Sequence, residues 1–129
     1  MKNILLSAII IFSFLSCTRT ETVINVVPYP AEVSMGSGSC QVAGAVFHVD
    51  EKADALSEAA VRRFAETLSA TTGAESQVVK GTASTGFTFS IDQNLPKEAY
   101  RLKVGRKGVK VEASGLNGFI YAIQTIKQM

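Results

Sequence analysis

Few side chains in this sequence could support acid–base catalysis, and one adjacent acidic pair stands out. Asp50 and Glu51 are the only neighbouring Asp-Glu residues among the 129. Two nearby carboxyl groups can act as acid and base when their pKa values differ. This pair lies where a strand-like run ends and a helical pattern begins. We therefore interpret Asp50 as a helix N-cap and Glu51 as a favourable acid in the first turn rather than as a catalytic pair.

Cys17 follows a segment with the properties of an export signal. The run from Ile4 to Leu15 is apolar apart from two serines, and it is shorter than the roughly 20 residues of a membrane-spanning helix. Phe14-Leu15-Ser16-Cys17 resembles the lipobox of bacterial lipoproteins, with phenylalanine where leucine is usual. We therefore predict a signal at residues 1–16, a lipidated Cys17 and a tether at 17–22. Such a protein is exported to the periplasm or cell surface and anchored in the membrane.

Cys40 has no partner in the chain if Cys17 is lipidated, and a plain secretory signal cut upstream of Cys17 would instead permit a Cys17–Cys40 disulfide. We interpret Cys40 as a small, partly buried residue and His48, the only histidine, as a strand residue. This set has no metal-ligand spacing, so we expect neither a metal nor another cofactor.

The charges of the chain are nearly balanced. Beyond residue 16 there are twelve Lys and Arg residues against eleven Asp and Glu, which gives no electrostatic footprint for nucleic acid. Five cations gather in one predicted hairpin, where we interpret them as a solvated face: Arg101, Lys103, Arg106, Lys107 and Lys110.

Alternating apolar residues predict several strands, and apolar residues every four positions predict a helix between them. The strand patterns cover residues 23–27, 45–49, 77–79, 87–91, 100–104 and 109–113, and the last three form a predicted meander. The helix begins at Asp50 and ends at Gly73, which suits a left-handed cap. Its apolar stripe, which we expect to face a sheet, contains Leu56, Ala60, Phe64 and Leu68 and is widened by Val61 and Ala65.

Residues 119–129 form a second helical pattern that is apolar on most of its circumference. A sheet covers one side of such a helix, so we expect a body outside this chain to cover the other. A stop signal is missing at Met129, and we expect the chain to continue in a larger protein. The residues predicted at that interface are Phe119, Ile120, Tyr121, Ile123 and Ile126.

Three segments, taken in order, resemble the N-terminal domain of glycoside hydrolase family 20. They are Val26-Val27-Pro28-Tyr29-Pro30-Ala31-Glu32-Val33, the paired strands at 99–104 and 108–113, and Gly118-Phe119-Ile120-Tyr121-Ala122-Ile123-Gln124-Thr125-Ile126-Lys127-Gln128-Met129. The resemblance covers residues 23–129 and implies an α+β domain, with a mainly antiparallel sheet and two helices packed on one face. In the family this domain precedes a TIM barrel that holds the catalytic Asp-Glu pair, so the resemblance implies that this chain lacks the catalytic residues.

Family 20 enzymes are β-N-acetylhexosaminidases, which remove terminal N-acetylglucosamine or N-acetylgalactosamine with help from the substrate's own acetamido group. The resemblance implies a non-catalytic domain of such a hydrolase, with the barrel and the parent enzyme's glycan substrate as partners. The predicted lipid anchor adds a membrane as a further partner. Two alternatives stay open. The domain could belong to a related glycosidase, such as family 84 or an α-glucuronidase. It could also be a free-standing surface lipoprotein that binds glycan or protein, although the chain has no tryptophan to serve as a sugar platform.

Overall fold

A computed structural model of the chain describes residues 24–129. The predicted signal at 1–16, the tether at 17–22 and the lipidated Cys17 lie outside these residues. The elements in order are β1 (Val46–Val49), α1 (Ala55–Thr72), β2 (Gln77–Lys80), β3 (Gly86–Ile91), β4 (Tyr100–Gly105), β5 (Gly108–Ala113) and α2 (Leu116–Gln128). They form an α+β domain, which confirms the predicted class.

The described strands form one sheet in the order β2-β1-β3-β5-β4. β1 pairs in parallel with β2 and with β3, and β3 pairs in parallel with β5, whereas β4 and β5 form an antiparallel hairpin. The sheet is therefore mixed rather than mainly antiparallel. The predicted meander is also corrected, because β3 has β5 and not β4 as its neighbour.

Burial agrees with this order. β5 lies inside the sheet, between β3 and β4, and has three buried residues, whereas β4 has none and lies at the edge. The helix α1 serves as the crossover that a parallel β1–β2 pair requires. Alternating residues thus identify the strands, but β4 and β5 both alternate, so the local pattern does not tell which of them pairs with β3.

Residues 24–45 form no strand, although the sequence suggested one at 23–27. Pro28 and Pro30 each remove a backbone donor from this segment, which disfavours pairing within a sheet. The segment runs over the surface as irregular chain, and Val26 is its buried residue.

The helix α1 begins later than the sequence suggested, because Asp54 and not Asp50 is its N-cap. The Asp54 carboxylate accepts a hydrogen bond from the backbone N–H of Ser57 at 2.7 Å. Leu56 is 66% exposed, so its place in the predicted stripe is wrong. Residues four apart are displaced by about 40° around an α-helix, which places Leu56 about 80° from Phe64. Gly73 ends the helix in the left-handed conformation, as predicted. The buried stripe consists of Ser57, Val61, Phe64 and Ala65.

The core lies between the sheet and the two helices and is built around phenylalanine rings. Phe47, Phe87 and Phe89 are buried on neighbouring strands, and the rings of Phe47 and Phe87 stack with centroids 4.7 Å apart. Phe64 of α1 meets Phe47 edge-on at 5.5 Å, and Phe119 of α2 meets Phe89 edge-on at 5.3 Å. Both helices therefore pack on the same face of the sheet, which confirms that part of the prediction.

The helix α2 lies close to the sheet because Gly118 has no side chain. A Cβ atom at this position would lie 2.6 Å from the Cβ of Ala113 and 2.6 Å from the carbonyl oxygen of Ala99. Both distances are well below van der Waals contact. The glycine thus lets α2 rest directly on β5 and on the turn before β4, which brings Phe119 to full burial.

Candidate docking surface on the last helix

The side chain of Asp50 bonds to the backbone of the domain, and the side chain of its neighbour Glu51 is exposed to solvent. Asp50 accepts hydrogen bonds from the backbone N–H groups of Lys52 and Ile91, both at 3.0 Å. These two bonds hold the pKa of the Asp50 carboxyl below its usual value, and Glu51 is exposed. An ionised carboxylate that is occupied by backbone donors cannot act as a general acid near neutral pH. Asp50 therefore joins the end of β1 to the end of β3 instead of capping α1.

The other polar candidates lie apart from one another. Cys40 has a free thiol and packs partly against the core. His48 lies in β1 between the buried residues Phe47 and Val49, so it belongs to the sheet face opposite the helices. Among residues 24–129, no three His, Cys, Asp or Glu side chains lie together in a group that could hold a metal ion. Over the same range, no helix is both long enough and apolar enough to cross a membrane.

The five predicted interface residues of α2 fall into two groups. Phe119 and Ile123 are buried in the core of the domain, and Ile126 packs partly against it. Ile120 and Tyr121 face outward, with exposed fractions of 37% and 45%. The division arises because α1 contacts α2 and covers the second side that the sequence attributed to another body. The barrel contact stays a prediction, and the apolar residues of this set that can make it are Ile120 and Tyr121.

One side chain joins the C-terminal end of α2 to the N-terminal segment. The Gln128 amide oxygen accepts a hydrogen bond from the Val27 N–H at 2.9 Å, and the amide nitrogen donates to the Val27 carbonyl at 3.2 Å. The same nitrogen also donates to the Gln124 carbonyl at 3.3 Å. Gln128 therefore pairs with the segment much as a neighbouring strand would. Sequence reasoning missed this contact, since 101 residues separate the partners.

Exposed apolar side chains extend the outward face of α2. Val27 is 80% exposed beside Gln128, and Met129 is 62% exposed at the end of the helix. Tyr121 and Gln128 are seven residues apart and so lie on the same side of α2. We call Val27, Ile120 and Tyr121 the α2 surface. Grouped apolar residues of this kind are typical of an interaction site.

Two contacts hold α2 in its orientation. The hydroxyl groups of Tyr100 in β4 and Thr125 in α2 form a hydrogen bond of 2.6 Å, and Thr125 is buried. The Lys127 ammonium lies 5.9 Å from the ring centroid of Phe64 in α1, in the range of a cation–π contact. The α2 surface is therefore presented by a helix that is attached to both the sheet and α1.

The fold and this surface define a small α+β domain whose last helix has exposed apolar side chains. The family model for Glycosyl hydrolase family 20, domain 2 matches residues 23–129, and the chain belongs to this family. The match favours family 20 over the other glycosidase families that the sequence left open. No curated relative matches the chain in sequence.

Solved family 20 structures share the fold. A β-N-acetylhexosaminidase from Bacteroides fragilis is 26% identical, with a TM-score of 0.63 over 80% of this chain and 20% of its own. An exo-β-N-acetylglucosaminidase from Vibrio harveyi, in complex with N-acetylglucosamine, is 24% identical, with a TM-score of 0.61 over 80% of this chain and 15% of its own. An inactive mutant of the Vibrio harveyi enzyme is 26% identical, with a TM-score of 0.54 over 75% of this chain and 14% of its own. The chain thus spans a fifth or less of the length of these proteins.

Proposed function

We propose that the chain is the non-catalytic N-terminal domain of an exported β-N-acetylhexosaminidase that removes terminal N-acetylglucosamine or N-acetylgalactosamine from glycans. The observation that carries the proposal is the match of one family 20 domain to residues 23–129. The Bacteroides fragilis β-N-acetylhexosaminidase supports it, because the shared fold makes up 20% of that longer chain. The structural role of Asp50 agrees with a domain that leaves the chemistry to another part of the enzyme.

In this proposal the domain supports a catalytic TIM barrel, and the barrel packs on the α2 surface. Full burial of an isoleucine side chain contributes about 1.5–3 kcal/mol. Ile120 and Tyr121 are already more than half covered in the domain. Docking would therefore gain about 1 kcal/mol from each of them. Gln128 contributes by holding Val27 beside the helix end, so that both chain segments belong to one docking face.

The double variant Ile120→Gln/Tyr121→Gln tests the docking face in the protein that carries the barrel. Glutamine is a good helix former, so α2 itself should be preserved. We expect the thermal transition of the domain to separate from that of the barrel in calorimetry. We also expect hexosaminidase activity on a chromogenic N-acetylglucosaminide to be lost faster on heating, because a stabilising partner has been detached.

Leu56→Gln is the matched control, since Leu56 is an exposed apolar residue on the other helix. This variant should leave the transitions and the heat inactivation of the enzyme unchanged. Equal effects of the two sets of substitutions would argue against docking through α2. A barrel-containing protein without hexosaminidase activity would refute the proposed function as a whole.

We further propose that Cys17 carries the lipid that anchors the exported protein. The support is the apolar run before it and the resemblance of Phe14-Leu15-Ser16-Cys17 to a lipobox. Cys17→Ser should move the protein from the membrane fraction to the soluble fraction and abolish incorporation of labelled palmitate. Cys40→Ser, the control, should change neither. A wild-type protein that is soluble after export and takes up no label would exclude the lipid anchor.

A further inference from the structure

The β4–β5 hairpin, Tyr100–Ala113, concentrates positive charge that the proposed docking does not use. It contains five of the eleven Lys and Arg residues in 24–129 and one of the ten Asp and Glu residues, a net charge of +4. The other described residues have six cations and nine acids, a net charge of −3. The chain is therefore nearly neutral overall but strongly positive at this hairpin.

The hairpin places two lysines in an unfavourable arrangement. Lys103 and Lys110 are directly opposite each other in the antiparallel register, where like charges destabilise the pair. The Lys110 ammonium contacts the Glu112 carboxylate at 2.7 Å. Lys103 and Lys107 form no ion pair with any residue in the described part of the chain. Lys103 therefore has no electrostatic partner among the described residues, and a negatively charged ligand would relieve the repulsion.

Two grooves meet at this lysine pair and form a track along the hairpin. One groove, of about 320 Å³, is lined by Lys107, and the other, of about 610 Å³, is lined by Arg101, while Lys103 and Lys110 line both. Glycines in and near strands often mark places where a ligand can approach the backbone closely. Three of them line the first groove: Gly86, Gly105 and Gly108.

We propose that this track binds an acidic glycan chain, whose carboxylate or sulfate groups pair with Lys103, Lys107 and Lys110. A linear polymer can follow two joined grooves, whereas a flat bilayer would contact only their rims. The strand residues on this face of the hairpin include no aromatic ring, which disfavours stacking with nucleobases or neutral sugars. The inference rests on the proposed function in one respect, since a glycan-cleaving enzyme works among glycan chains. It extends that function by giving the domain a ligand of its own.

The test measures binding of the full chain to heparin, to hyaluronate and to neutral dextran by titration at low salt and at about 0.15 M salt. We expect binding to an acidic polymer but not to dextran, and we expect it to weaken with salt because the charges are exposed. Lys103→Glu should reduce the affinity about tenfold. The same substitution places opposite charges across the hairpin, so the variant should melt no earlier than wild type and any loss of binding is not due to unfolding.

Arg63→Glu is the matched control, because it makes the same change of charge at an exposed position on α1, outside the ion pairs of the described residues. It should retain wild-type affinity. Binding to heparin alone would identify sulfate as the recognised group, and binding to hyaluronate as well would show that carboxylate suffices; both outcomes support the proposal.

Three outcomes would overturn the proposal. These are failure to bind either acidic polymer at low salt, an equal loss of affinity in Arg63→Glu, and tighter binding to vesicles of anionic lipid than to the polymers. Cleavage of a small neutral chromogenic N-acetylglucosaminide by the barrel-containing protein is measured in parallel. That reaction does not involve the hairpin, so failure of the hexosaminidase proposal and failure of glycan binding give different results.

Discussion

Gly118→Ala is the substitution that most directly tests how α2 is attached to the sheet. On an exposed helix, alanine in place of glycine stabilises by about 1 kcal/mol. In this domain the new Cβ would lie 2.6 Å from the Cβ of Ala113 and from the carbonyl oxygen of Ala99. To restore normal contact, α2 would have to move outward by about 1 Å.

The expected cost follows from the contacts that this movement opens. Overpacking in a core costs about 1–3 kcal/mol. We expect the upper part of this range, because a backbone carbonyl cannot rotate away and because the shift also loosens Phe119 in its aromatic contact with Phe89. After the gain in helix propensity is subtracted, the net loss should be about 1–2 kcal/mol.

Thermal denaturation followed by circular dichroism measures this loss. For a domain of this size, 1 kcal/mol corresponds to about 4–8 °C, so the Tm of Gly118→Ala should fall by about 5–15 °C. Gly105→Ala is the control, because a Cβ there would meet no atom within 4 Å. Adding Ala113→Gly to the Gly118→Ala variant removes one of the two close contacts and should recover part of the loss. A Tm for Gly118→Ala at or above the wild-type value would refute the close-approach argument.

Tyr100→Phe removes the hydroxyl that bonds Thr125 and should lower the free energy of unfolding by about 1–2 kcal/mol in urea denaturation; Thr125→Val added to it should cost much less than it does alone, and additive losses would contradict the bond. The pKa of Asp50 in the folded domain lies below its ordinary value of 3.8, because two backbone N–H groups bond the carboxylate. The unfolded chain therefore binds this proton first, so the contribution of Asp50 is full well above pH 3.8 and is lost as the pH falls through the folded pKa. Asp50→Asn should flatten this acid-side decline in a pH series of urea denaturations, and an unchanged decline would contradict the assignment. Gln128→Ala should speed hydrogen exchange of the Val27 amide, whose protection should stay the same if the side-chain bonds are absent in solution.

Local sequence patterns were sufficient to locate most elements of the described domain. The alternating pattern at 87–91 correctly predicted β3, and the paired strands at 99–104 and 108–113 correctly predicted the β4–β5 hairpin. Gly73 ended α1 as predicted, because glycine adopts the left-handed backbone conformation without steric cost. These features depend on side chains a few positions apart and on the intrinsic freedom of glycine.

The predictions failed where two residues had the same local signal, or where contact with a residue far away in the sequence determined the structure. Asp50 and Asp54 are both acceptable caps by type, and the bond from Asp50 to the distant Ile91 leaves the capping role to Asp54. Leu56 was assigned to the buried stripe by a spacing of four residues, which drifts around the helix and leaves this side chain in solvent. For the candidate docking surface, the apolar character of Ile120 and Tyr121 could be read from the sequence, but the contribution of Val27 could not.

The sequence by itself determined the kind of domain this is. It predicted one amphipathic helix, a second and largely apolar helix, and strands with one apolar face. Its ordered motifs carry a resemblance that the family 20 match over residues 23–129 confirmed. Tertiary structure decided the order of strands, the coverage of α2 by α1 and the pairing of Gln128 with Val27. The physical reason is the sequence separation of the residues that interact. A helix or strand depends on residues a few positions apart, whereas the surface that stays exposed on each element depends on which distant parts of the chain pack against it.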